Sequence, residues 1–221
     1  MNKFYQLTNQ DDFNAELYIY GDITSYKWYD DEVCAYDLAK ELMELGNKNL
    51  KVRINSYGGE VAQGLAIYNL LKDYKGTVTT VCDGFACSAA SVVFMAGTNR
   101  AMPKSSLLMI HNAWSWASGN ANELRKIAED LEKITQPSIE IYKTVSNLDE
   151  ETIKRMMDEE TWITAEEALE YGFATVIVED NPKQSLKDDI LSKLVHSNKE
   201  LTRQVKILKE EKKQSKKGWF F

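Results

Sequence analysis

The sequence is poor in most of the residues that would declare a protein class at once. Among 221 residues there are three cysteines (Cys34, Cys82 and Cys87), three prolines and two histidines. Three thiols make no even set and no CxxC pair, which excludes a disulfide framework and a cysteine-rich zinc site. They are expected to be free thiols in a reducing compartment, the cytoplasm. No apolar run approaches the roughly 20 residues that a membrane-crossing helix needs. The opening "MNKFYQLTNQDDFNAE" carries no secretory apolar core, so no membrane partner is expected. A formal charge of −7 leaves the body without the basic surface that nucleic acid requires. GxGxxG and GxxxxGK[ST] are both absent, and no His, Cys and carboxylate cluster has metal-ligand spacing, so neither cofactor nor metal is expected.

What the chain does have is a 43% hydrophobic composition in alternating strand and helix patterns, enough for one sizeable core. "AELYIYGDI" (Ala15–Ile23) reads as a strand. In "DEVCAYDLAKELMEL" the helical spacing of Val33, Tyr36, Leu38, Leu42 and Leu45 predicts an amphipathic helix ending near Gly46. "NLKVRINS" places Leu50, Val52 and Ile54 on one strand face, and a helix through "VAQGLAIYNLLKDY" follows. "GTVTTVCDG" and "SSLLMIH" read as further strands, with a helix from "CSAASVVFMAG" between them. Such alternation implies an α/β architecture of parallel units, whose loops at the strands' carboxyl ends gather sites. Those ends carry Gly58-Gly59, the Gly84–Ser88 turn and His111.

Further on, "NANELRKIAEDLEKITQPSIEIYKTVSN" predicts a long helix interrupted at Pro137, with Leu124, Ile127, Leu131 and Ile134 along one face. "LDEETIKRMMDEE" predicts another, and "TAEEALEYG" a third with Thr164 as N-cap, Glu167 three residues on and Gly172 past its end. Residues 1–180 are read as one domain and 181–221 as a linker with a basic helical tail, in which Leu194, Leu201 and Leu208 fall seven apart. The tail is either a solvated terminal helix or a partner-binding element.

Two histidines leave few options for general-base chemistry. His196 lies in the tail, so His111 is the candidate base of the body, though a histidine at a strand end is also a common structural residue. Ser88 is either a helix N-cap or a nucleophile displayed at a strand-to-helix turn. Ser91 suits packing, and Cys87 reads as a small core thiol. Gly58-Gly59 is either a plain turn or a backbone that another chain can approach closely.

"INSYGGEVAQGLAIYNLL", "GFACSAASVVFMAG", "PKSSLLMIHN" and "TWITAEEALEYGF" occur in the order found in ClpP, the proteolytic subunit of the Clp proteases, and the resemblance covers roughly Ala15 to Val178. It implies a ClpP/crotonase-like spiral of ββα units with a protruding handle helix. It implies a serine endopeptidase in which Ser88 is the nucleophile, His111 the base, and Gly59 and Ala89 supply the oxyanion amides. Gly58, Glu60 and Val61 would receive a peptide as an added strand. A ring-forming homo-oligomer is implied as well. The sequence also departs from the family. Glu160 stands where the family has the triad aspartate, with Asp158 as the nearest substitute. Glu159 replaces an arginine linked to ring–ring contacts, and Tyr57 replaces the proline of the GG loop. The N-terminal segment is shorter than the loop that meets the AAA+ unfoldase, which leaves that partner open. These departures resemble the phage and prophage enzymes that trim capsid and scaffold proteins. The rival expectations are ATPase-coupled general degradation, a crotonase-type acyl-CoA enzyme and an inactive assembly paralogue.

Overall fold

The computed structural model describes residues 5–25 and 33–178. The expected tail, residues 181–221, lies outside the described residues. Eight strands form one sheet: β1 (Tyr5–Asn9), β2 (Asn14–Ile19), β3 (Asn49–Ser56), β4 (Val78–Cys87), β5 (Asn99–Pro103), β6 (Leu107–Ile110), β7 (Thr161–Thr164) and β8 (Val176–Val178). Their main order is β1-β2-β3-β4-β5-β8, with β6 on β4 and β7 on β6. Pairing is parallel except for β1 with β2 and β6 with β7.

Strand β4 positions everything else. Its first half pairs with β5 through Thr79–Val81, and its second half leaves that partner for β6 through Phe85–Cys87. The sheet forks there, and the β6–β7 branch brings His111 beside the end of β4. Strand β3 shows why the pattern was readable: Leu50, Val52 and Ile54 are buried while Lys51 is exposed, the period of two expected of a strand.

Helices α1 (Ala35–Leu45), α2 (Val61–Asp73) and α3 (Ala89–Phe94) cover the core, joined by α4 (Ala121–Val145), α5 (Glu150–Asp158) and α6 (Ala165–Tyr171). Leu38, Leu42 and Leu45 of α1 face inward as expected. Tyr36 does not: it is 65% exposed, with the Lys40 ammonium 4.2 Å from its ring centre. Helix α6 has the full capping box, with Thr164 Oγ1 accepting from Glu167 N at 3.3 Å, Glu167 Oε2 accepting from Thr164 N at 2.9 Å, and Gly172 left-handed at φ 85°.

The expected break at Pro137 does not occur. Helix α4 runs unbroken through it, about 37 Å at 1.5 Å per residue. An internal proline costs about 3 kcal/mol, mainly through the lost N–H bond and the clash one turn back. Packing on both sides of it offsets that cost. Thr135 Oγ1 donates to the Leu131 carbonyl and accepts from Ala113 N, while Ile139 and Tyr142 are buried beyond the proline. The helix's N-terminal half stands clear, with Leu124 and Ile134 43% and 45% exposed.

Candidate active site

Ser88 sits between β4 and α3 with φ 55° and ψ −127°, a backbone that L-residues rarely adopt. Its N–H is held by the Met109 carbonyl of β6 at 2.9 Å. Its side chain makes no capping bond to α3, so the N-cap reading fails. Instead Oγ lies 2.8 Å from His111 Nε2. The small residues around it are a steric requirement. A Cβ at Gly58, where φ is 98°, would stand 2.7 Å from Ser88 Cβ and 2.6 Å from the Cys87 carbonyl oxygen. The hydroxyl is displayed because nothing larger fits beside it. Ser91 is fully buried, donating to the Ser88 carbonyl at 2.6 Å and sharing a bond with the Tyr142 hydroxyl at 2.8 Å.

His111 follows β6 directly, with its side chain 16% exposed. The next turn of chain is pinned by Ala113 N donating to Thr135 Oγ1 at 3.1 Å. On the ring's far side Nδ1 lies 3.8 Å from Glu160 Oε2, ion-pair range but beyond a hydrogen bond. Glu160 occupies the α5–β7 connection at φ 52°, and its carboxylate is 61% exposed. Asp158 faces elsewhere: its Oδ1 accepts from Asn112 Nδ2 at 2.7 Å. The candidate acid beside the imidazole is therefore Glu160. Cys87 is buried, and burial first, then the Glu160 charge, pushes its thiol up to about 11.

The backbone opposite Ser88 is shaped by Ile23, which sequence reasoning did not place at the site. Ile23 pairs in parallel with Gly59, donating to Gly58 O and accepting from Glu60 N, both at 2.8 Å. Gly58 N–H is engaged as well, by Ser56 Oγ at 3.0 Å. This corrects the expectation for Gly58 and Glu60. Both border the cleft, but their amides and carbonyls serve the fold, because in a strand alternate residues turn their backbone groups to opposite sides. The edge left for an added strand is that of Gly59 and Val61. Glu60 also turns its carboxylate away, to Ser25 N, Ser25 Oγ and Thr24 Oγ1. The Ser25 bonds hold that carboxyl below the usual range.

The Gly59 N–H thus points away from Ile23, and Ala89, the first residue of α3, has an N–H with no intrahelical acceptor. Both residues line, with Ser88 and His111, a cleft of about 590 Å³. Its depth is apolar, walled by Val92, Met109, Tyr142 and Met157, and its rim carries Tyr57 and Trp114. A polarised hydroxyl beside two outward amides over an apolar hollow suits addition to a carbonyl carbon. Asn112, Thr135 and Ile23 carried no sequence signal of their own, since each acts through a partner distant in the chain.

Comparisons with known proteins give the family and the fold. The family model for Clp protease matches residues 8–181. An ATP-dependent Clp protease proteolytic subunit from Deinococcus radiodurans is 33% identical over 152 residues, 66% of this chain and 74% of the relative. Subunits of the same name from Porphyromonas gingivalis and Bacteroides thetaiotaomicron are 34% and 32% identical, over 62% and 64% of this chain and 62% and 67% of their own lengths. Among solved structures, a ClpP1 mutant from Listeria monocytogenes superposes with a TM-score of 0.64 at 25% identity, covering 77% of this chain and 93% of that one. The fold is ClpP-like, and no described helix is long and apolar enough to cross a membrane. The chain belongs to the Clp protease family and is a hydrolase of the serine-peptidase class.

Proposed function

We propose that the chain is an endopeptidase working through an acyl-enzyme on Ser88. The observation that carries this reading is the 2.8 Å contact between Ser88 Oγ and His111 Nε2. His111 takes the hydroxyl proton as Oγ attacks the peptide carbonyl, then delivers it to the leaving amine. Glu160 orients the ring and stabilises the imidazolium. The amides of Gly59 and Ala89 receive the oxyanion, a contribution of roughly 3–4 kcal/mol per donor. Water then releases the acyl group by the same proton route in reverse. A serine-directed fluorophosphonate is expected to label Ser88 and stop peptide cleavage. A crotonase-type enzyme or an inactive assembly paralogue would remain unlabelled, and either result would end this reading.

The departures at Tyr57, Glu159 and Glu160 support trimming of capsid or scaffold proteins as the biological task, in the cytoplasm of a bacterial host. The names of the three relatives favour the other reading, degradation coupled to an AAA+ unfoldase. Cleavage of folded scaffold protein by the purified chain alone supports the first; dependence on an ATPase and ATP supports the second. Residues 1–180 form the protease domain in this proposal, and 181–221 a separate tail. The apolar stripe of α4, with Leu124 and Ile134 exposed and Ile127 and Leu131 half-buried between them, supports packing against another copy in a ring. Sedimentation velocity at micromolar concentration is expected to show an oligomer, and a compact monomer would overturn it.

A further inference from the structure

Three aromatic rings from three separate elements form a continuous edge-to-face series that begins at the cleft. Tyr57, between β3 and α2, meets Phe85 of β4 with ring centres 5.7 Å apart at 69°. Phe85 meets Trp162 of β7 at 5.5 Å and 70°. Only Tyr57 lines the Ser88–His111 cleft, so the other two rings lead outward from its wall. The series is not core, since Tyr57 is 68% exposed and Trp162 45%. Aromatic faces left in water next to a reactive centre are surface that a bound chain would cover.

The local backbone is arranged to hold the middle ring. The β3–β4 register shifts between Ile54 and Ser56, so the chain at residues 83–85 bulges. Asn55 Oδ1 pins the bulge by accepting from Phe85 N at 3.1 Å, and a Cβ at Gly84 would lie 2.6 Å from that same oxygen. Trp162 is fixed opposite Met109 in the β6–β7 ladder. With ring centres 5.7 and 5.5 Å apart the series spans at most about 11 Å, the reach of no more than about three extended residues.

Its place relative to the reacting bond gives it a role. The Gly59 and Ala89 amides fix the carbonyl under attack. The apolar hollow and the open Val61 edge lie on one side and suit the half of the peptide that becomes the acyl group. Tyr57 precedes Gly58-Gly59 in the chain as Val61 follows it, so the two flank the Gly59 amide from opposite ends, and the Tyr57 end is the one assigned here to the departing half. Accepting the peptidase reading, on which this rests, we infer that Tyr57, Phe85 and Trp162 form a subsite for residues C-terminal to the cut and select large apolar or aromatic side chains there.

The test uses paired peptides identical up to the cut and carrying Phe or Gly at the second and third positions beyond it. kcat/KM is measured per fluorophosphonate-titrated serine, so a poorly folded variant does not distort the ratio. The unaltered chain is expected to favour the Phe peptide at least tenfold. Tyr57→Ala and Trp162→Ala should each cut that preference to under threefold, while Trp162→Phe should keep most of it. No preference in the unaltered chain, or one that survives both alanine substitutions, overturns the subsite. So does a preserved preference accompanied by altered sedimentation, which would make the series a contact between copies. Full titration with a flat preference sinks this inference alone. A chain that no probe labels sinks the peptidase reading with it.

Discussion

Strand β4 carries two polar constellations of opposite character. Asp83 belongs to a closed one: it accepts from the Tyr20 hydroxyl at 2.6 Å and from Arg53 Nε at 2.7 Å, with Arg53 Nη2 on its second oxygen. Glu16, 3% exposed, extends it by accepting from Tyr18 at 2.8 Å and Gln10 at 2.6 Å, with Arg53 and Lys51 within 3.8 Å. Every oxygen there has a partner, and burial drives the Tyr20 phenol further up, out of reach of titration. Ser88, at the end of the same strand, belongs to an open one. Its backbone is strained, its histidine has an acid just outside bonding range, and the facing amides have no acceptor among the described residues. Among the described residues no buried side-chain nitrogen or oxygen lacks a hydrogen bond, so the openness of the cleft lies in backbone donors and an exposed carboxylate, not in a buried side chain. A satisfied network holds shape. An unsatisfied one has capacity left for a substrate.

That contrast can be broken in four ways. The largest effect belongs to the open site: Ser88→Ala or His111→Ala is expected to lower kcat on the order of a millionfold while leaving the unfolding midpoint in urea near its original value. Glu160→Gln should cost less, about a hundred- to a thousandfold, because the acid acts through His111 and is largely solvated. Equal losses at all three positions would mean that the acid is bonded to the ring throughout catalysis. The closed network should respond the other way. Asp83→Ala takes both bonded carboxylate oxygens from the Arg53 guanidinium, 15% exposed, and leaves it only the Glu16 carboxylate at 3.8 Å, which is expected to cost about 3 kcal/mol in chemical denaturation. Fluorophosphonate labelling per folded molecule should stay within about twofold. A stable Asp83→Ala protein with a dead serine would erase the distinction.

The smallest effect concerns Cys87. A thiol that burial and the Glu160 charge raise to about 11 becomes thiolate only as pH climbs toward that value, so at pH 8 it stays almost wholly in the unreactive thiol form. Iodoacetamide at pH 8 is expected to modify the partly exposed Cys34 first and Cys87 only on unfolding. Rapid native labelling of Cys87 would make the neighbour of Ser88 a competing nucleophile.

What was legible in the sequence was whatever depends on neighbours in the chain. Strand β3 and the α6 capping box are local patterns, and both stand where their spacing puts them. Strands β1, β5, β7 and β8 escaped: each has five residues or fewer and β5 ends in proline, whereas β6, equally short, was readable from its apolar run Leu107–Ile110. The Pro137 break was an inference from local cost that distant packing overrode. At the site, Ser88 and His111 could be nominated from motif order. The engagement of Gly58 and Glu60 by Ile23 could not, since a parallel bridge leaves no trace in composition. Tyr57, Phe85 and Trp162 meet only after the sheet has forked.

The left-handed twist at Ser88 has a thermodynamic corollary. Holding a non-glycine residue there stores about 1–3 kcal/mol in the native state. Glycine at that point would relax the turn and give a protein harder to melt and unable to cut. Any search for sturdier descendants of this chain, judged by heat resistance alone, would drift toward discarding the hydroxyl.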